Sequence, residues 1–216
     1  MEAVGDQVWA VVVAAGTGSR FGDAKQYAPL AGRRVLDWSL AGARAVADGV
    51  VVVVPPGRAS RAEPDADVTV PGGASRSASV RAGLAAVPED AGIVIVHDGA
   101  RPLASTALFR EVVEAVAAGA DAAVPGIPVT DTLRRRSGDT LDRSDLLAVQ
   151  TPQAFRASAL RAAHAGDPDA TDDASLVERA GGKVAVVDGS PTNLKVTHPL
   201  DIVVAEALLA AIGEAP

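Results

Sequence analysis

Three observations predict an α/β fold with a mainly parallel central sheet. Short valine-rich runs recur along the chain, helical stretches separate them, and the first run breaks at once into glycines. Val8-Trp9-Ala10-Val11-Val12-Val13, Val50 to Val54, Ile93-Val94-Ile95-Val96, Ala120 to Val124 and Val184-Ala185-Val186-Val187 are apolar without alternation. That pattern belongs to strands covered on both faces, as in parallel sheets.

The elements follow in order. After the first strand, Ala14-Ala15-Gly16-Thr17-Gly18-Ser19-Arg20-Phe21-Gly22 reads as a turn built for a polyphosphate, with Arg20 and Lys25 supplying fixed positive charge. The dinucleotide fingerprint would need glycine where Phe21 stands, and a P-loop would need Gly-Lys-Ser/Thr, so neither is assigned. A plain packing turn has no use for two cations five positions apart. Helices are predicted near 35–47, 76–87, 105–118, 157–165, 173–180 and 199–212. Ser105 is placed to cap the third and Gly119 to end it. From Pro128 to Ala148 the alternation fails, and Val129 to Arg136, Ser137-Gly138-Asp139 and Thr140 to Arg143 read as a hairpin arm around a glycine turn. Arg134, Arg135 and Arg136 are too polar for a buried strand and read as solvated.

A chain of 216 residues, 48% hydrophobic, can bury one substantial core, so a single domain over 1–216 is expected. The net charge of −7 argues against a nucleic-acid surface, which needs a basic footprint, and any phosphate site must be a local cluster of cations. With no cysteine, disulfides and thiolate chemistry are excluded. The acidic start, Met1 to Asp6, lacks the basic region of a signal peptide, and no apolar run reaches about 18 residues, so a soluble cytoplasmic protein without a membrane partner is expected.

Seven further segments narrow the reading: Gly72-Gly73 with Ser79-Val80, His97-Asp98-Gly99-Ala100-Arg101-Pro102, Asp131-Thr132, Asp142-Arg143, Gln150-Thr151-Pro152-Gln153, Thr171-Asp172-Asp173-Ala174-Ser175 and Asn193-Leu194-Lys195-Val196-Thr197. Together with the glycine turn and Lys25-Gln26-Tyr27 they resemble the 2-C-methyl-D-erythritol 4-phosphate cytidylyltransferase family, over about residues 8 to 205. The resemblance implies a Rossmann-like nucleotidyltransferase sandwich with a mainly parallel central sheet and a protruding β-hairpin arm at about 128–148. It also implies CMP transfer from CTP to a polyol phosphate with Mg²⁺ or another divalent cation, in a homodimer whose active sites are shared through that arm. Relatives often carry proline before the lysine of Lys-Gln-Tyr, whereas Ala24 stands here, which leaves the loop less constrained.

On the same resemblance, Arg20, Lys25, Arg143 and Lys195 are the catalytic set. Ala14, Ala15, Gly16, Gly18, Gly73 and Ser79 would bind nucleotide, and Asp98, Arg101, Thr132, Thr151 and Thr171 the acceptor. From the residues alone several alternatives stand. Asp98, at a strand end, either ligates Mg²⁺, accepts a substrate hydroxyl, or forms a turn with Gly99. Arg101 is a substrate-side cation or a loop ion pair, and Thr171 either meets the acceptor or caps the helix after it. Lys195, in a short apolar segment read as a strand, either faces a phosphate or blunts an exposed edge. His97 is assigned to structure, Arg76 and Arg81 to a solvated helix face, and Asp172 and Asp173 to complementing a helix dipole. Ribitol 5-phosphate is the alternative acceptor. A nucleotide-binding oxidoreductase is disfavoured by Phe21, and a non-catalytic binding module by the number of cations.

Overall fold

The computed structural model describes residues 7–18 and 21–213. Its centre is a sheet in the order β10 (Val184–Asp188), β7 (Ala122–Pro128), β9 (Gln153–Arg156), β6 (Ile93–Asp98), β1 (Val8–Val13), β4 (Gly49–Val54) and β5 (Val68–Pro71), with β8 (Leu147–Val149) added beside β7. The five apolar runs named first all form strands, as β1, β4, β6, β7 and β10. The sheet gains β5 (Val68–Pro71), β8 (Leu147–Val149) and β9 (Gln153–Arg156), and a separate ribbon pairs β2 (Pro29–Leu30) with β3 (Arg33–Arg34). Strand β1 is parallel to β4 and β6, β4 to β5, and β7 to β10, whereas β9 runs antiparallel between β6 and β7.

Side-chain alternation divides each central strand between two cores. Val11, Val51, Val53, Val94 and Val96 face α2 (Arg76–Leu84), α4 (Ala157–Ala163) and α5 (Ala174–Arg179). Ala10, Val12, Val50, Val52 and Ile95 face α1 (Val35–Arg44) and α3 (Thr106–Ala117). These valines are fully buried, which is why their sequence shows no polar alternation. Ser105 caps α3 as expected, accepting a hydrogen bond from Leu108 N at 3.2 Å. The last helix, α6 (Leu200–Ala211), packs through Ala205 and Leu209 against Leu30, Val35, Leu103 and Val196.

The arm forms, but barely as a ladder. Its base is the β7–β8 pairing, and its tip is a single bridge between Arg134 and Thr140 closed by Arg135 N donating to Asp139 O. Arg134, Arg135 and Arg136 are exposed, in keeping with their polarity. Among the described residues, no helix is long and apolar enough to cross a membrane.

Strand register places the ligand crevice. Val13 stands opposite Val53 on one side and Asp98 on the other, so the carboxyl ends of β1 and β6 open together. Ligands of open α/β sheets bind outside such ends.

Candidate active site

A cleft of about 380 Å³ occupies that position. Its floor is the glycine turn, where Ala14 N donates to Val53 O and extends the β1–β4 ladder by one bond. The buried Gln26 amide then donates to Ala14 O at 2.8 Å and Gly16 O at 3.1 Å, pinning the start of the loop. Gly18 has φ +68°, and a Cβ there would stand 1.9 Å from Asp23 O, so only glycine fits. A 3₁₀ turn over Lys25–Tyr27 turns Gln26 inward and Lys25 to the cleft, where Lys25 Nζ donates to Val196 O at 2.5 Å.

The second wall is the entry to α2. Gly73, Ala74, Ser75 and Arg76 line it, and Ser79 Oγ shapes it by accepting from Gly73 N and donating to Ser75 O. A Cβ on Gly72 would lie 2.2 Å from that of Ala15, so this glycine lets the two walls approach. Ser75 caps the helix, accepting from Ala78 N at 3.2 Å.

Asp98 closes the crevice at the end of β6. Its Oδ2 accepts from Lys195 Nζ at 2.6 Å, and its Oδ1 is 3.5 Å from Arg76 Nε. Burial would raise the carboxyl pKa, but Lys195 and then Arg76 outweigh it and hold the group well below the usual carboxylate range. Asp98 N donates to Thr151 Oγ1 at 3.0 Å. His97 is fully buried, and burial pushes its pKa down to about 4. A carbonyl can only accept, so His97 Nε2 donates to Arg101 O and the neutral Nδ1 accepts from the Thr151 hydroxyl. His97 is structural, as its lone position suggested.

A family model described as 2-C-methyl-D-erythritol 4-phosphate cytidylyltransferase matches residues 8–211. The chain belongs to this cytidylyltransferase family. It is 45% identical to the protein of that name from Nocardia farcinica over 216 residues, covering 94% of each. It is 44% identical to the one from Prochlorococcus marinus, covering 93% of this chain and 97% of the relative. The crystal structure of the 2-C-methyl-D-erythritol 4-phosphate cytidylyltransferase from Thermus thermophilus superimposes with a TM-score of 0.79 at 42% identity, covering 93% of this chain and 98% of that one.

Within this cytidylyltransferase fold, Ala14, Ala15, Gly16, Lys25, Gly73, Ser79, Asp98 and Lys195 all line the cleft. Arg20 lies outside the described residues. Arg101 does not line the cleft: its guanidinium donates to Asn193 O at 2.7 Å and ties two loops together. The hydroxyl of Thr151 is spent on Asp98 N and His97. Thr171 is exposed and does not cap α5; Asp172 accepts from Ser175 N instead. Thr132 and Arg143 are exposed on the arm, outside the cleft of this one chain.

Three sequence expectations are corrected. Lys195 lies in an irregular loop, not a strand, because Asn193 is held by Gln150 and Thr151 and Val196 N donates to Ala100 O without a ladder on either side. Arg76 is no solvated helix residue but a lining cation between Asp98 and Asp173, 2.6 Å from the latter. Asp173 is fully buried between Arg76 and His164 and does more than complement a dipole. Helical spacing shows only that Arg76 begins a helix, and its partners lie in distant segments. Among the described residues, no group of three or more His, Cys, Asp or Glu could hold a metal ion.

Proposed function

We propose that the chain transfers CMP from CTP to 2-C-methyl-D-erythritol 4-phosphate, releasing pyrophosphate. The observation that carries the reading is a cleft of the cytidylyltransferase family in which Lys25 and Lys195 both face the ends of β1 and β6. A phosphate oxygen of the acceptor attacks the α-phosphorus of CTP. A new P–O bond forms there, and the bond from the α-phosphorus to the bridging oxygen of the pyrophosphate breaks. The acceptor phosphate is already anionic, so no general base is needed. Bringing two anions together is the difficulty, and cations answer it.

Lys25 and Arg20 stabilise the more negative transition state. Backbone groups at Ala14, Ala15, Gly16, Gly18 and Gly73, shaped by Ser79, bind the nucleotide, and selection of the pyrimidine over a purine by size is what the family resemblance implies. Lys195 and Arg143 hold the acceptor phosphate, while Asp98, Thr132 and Thr171 meet the acceptor, with Arg101 and Thr151 bracing Asp98 and the loop bearing Lys195. Asp98, the one carboxylate among the described residues lining the cleft, is engaged by two cations, so Mg²⁺ fits best on the CTP phosphates, as is usual for this ion. Bound there, it offsets triphosphate charge. Thr132 and Arg143 reach a site only in the neighbouring subunit of a homodimer, which C₂ symmetry would give two equivalent shared sites. The enzyme would act in the cytoplasm, without nucleic acid or membrane as partner.

Pyrophosphate release from CTP and Mg²⁺ with methylerythritol phosphate, beside ribitol 5-phosphate, tests the proposal. Release with the former supports it. Release only with ribitol 5-phosphate, or with neither, overturns it.

A further inference from the structure

Five polar side chains form a line from the interior to the cleft. His164 Nε2 is 3.0 Å from Asp173 Oδ1, and Arg76 Nη1 is 2.6 Å from Asp173 Oδ2. Arg76 Nε is 3.5 Å from Asp98 Oδ1, and Asp98 Oδ2 takes the ammonium of Lys195. His164 and Asp173 are buried, and neither lines the cleft. Stability alone does not call for this arrangement. Leu160, Leu176 and Val177 already pack α4 and α5 against the sheet, and a buried ion pair is often no better than apolar residues of the same size.

We propose that Arg76 is a positioning residue for acceptor binding, fixed by Asp173 and His164 so that it keeps Asp98 compensated when Lys195 leaves it. The inference rests on the functional reading above. Two carboxylates, Asp98 and Asp173, face two cations, Arg76 and Lys195. An acceptor phosphate must draw Lys195 away from Asp98. Asp173 takes one end of the Arg76 guanidinium, so Arg76 meets only the Oδ1 side of Asp98 and leaves Oδ2 to Lys195. When Lys195 moves, Arg76 stays, and Asp98 is not left as a buried charge without a cation. Without Arg76, Asp98 would grip Lys195 harder and the acceptor would bind less well.

Removing Arg76 alone would leave the buried Asp173 with His164 but no arginine, so the decisive variant is Arg76→Met with Asp173→Asn, which removes both charges. Its KM for the acceptor should rise about tenfold while its KM for CTP stays within about twofold. His164→Leu, which frees Asp173, should shift the acceptor KM in the same direction by less. A purely structural role would lower the Tm without separating the two KM values. Calorimetric binding of inorganic phosphate supplies a readout that needs no turnover. The double variant should lose about tenfold in affinity, moving toward Lys195→Ala, and an unchanged phosphate affinity or equal rises in both KM values would overturn the inference. Wild-type protein that binds phosphate in this way but turns over neither acceptor would defeat the functional reading and leave the positioning of Lys195 standing.

Discussion

Lys195 and Asp98, ninety-seven positions apart, meet at 2.6 Å across the mouth of the cleft. The pair joins the loop before α6 to the end of β6, and Val196 N donating to Ala100 O runs beside it. Lys25, bonded to Val196 O, and Lys195 line the same cleft, and the proposed reading puts Lys195 at the acceptor and Lys25 at the nucleotide. The two lysines should therefore fail differently when removed.

Lys25→Ala should lower kcat by roughly 10²-fold, on the order of 3 kcal/mol, because its charge matters most where negative charge develops. Lys195→Ala should act first on the KM of the acceptor. Steady-state kinetics with each substrate varied in turn separates the two. A Lys25→Ala protein that loses thermal stability yet keeps near-normal turnover would contradict the assignment.

Acid should destabilise the fold through His97. Its pKa falls from 6.5 to about 4 on folding, because burial disfavours the imidazolium. The unfolded chain therefore binds the extra proton across that window, so stability is full above pH 6.5 and declines as the pH drops toward 4. One group gives a slope of up to about 1.4 kcal/mol per pH unit. Asp98 has a depressed folded pKa, so its stabilisation is present throughout this window and is lost only at lower pH. His97→Gln keeps a donor for Arg101 O and removes the titration. Denaturant melts should show the slope between pH 6.5 and 4 flattened in the variant; an unchanged slope would assign it elsewhere.

Ala24 marks a place where the loop accepts more constraint. Its φ of −68° lies inside the range proline imposes, and among the described residues its N–H donates only to Asp23 Oδ1, at 2.6 Å. Ala24→Pro removes that bond but narrows the unfolded ensemble, an effect of about 0.4–1 kcal/mol. The expected result is a small rise in Tm together with a lower KM for CTP. A fall in Tm would show that the Asp23 contact outweighs chain entropy.

How far the sequence could be read depends on the range of the interactions. Strands β1, β4 and β6 announce themselves because both of their faces are buried, and Ser105 marks the start of α3 through a bond three residues away. Strand β9 is only Gln153–Arg156, and its antiparallel place between β6 and β7 is set by tertiary pairing. The same limit hid Arg76. Whether an arginine at the first position of a helix is solvated or buried depends on Asp98 and Asp173, which no local pattern brings near it. Lys195 was legible as a cation needing an anion, but its loop conformation follows from Asn193 being held by Gln150 and Thr151.

In the proposed homodimer the cleft of one chain, with Lys25 and Lys195, is half of a site, completed by Thr132 and Arg143, which stand exposed on the arm. Subunit mixing tests it most directly. Inactive Arg143→Ala and inactive Lys25→Ala proteins, combined in equal amounts and allowed to exchange, should regain activity, because each heterodimer pairs one intact cleft with one intact arm. Random assortment makes half of the dimers heterodimers, each with one working site of two, so recovery should approach roughly a quarter of the wild-type rate. Verified heterodimers as inactive as their parents would contradict the claim and return Arg143 to its own subunit or to no role in transfer.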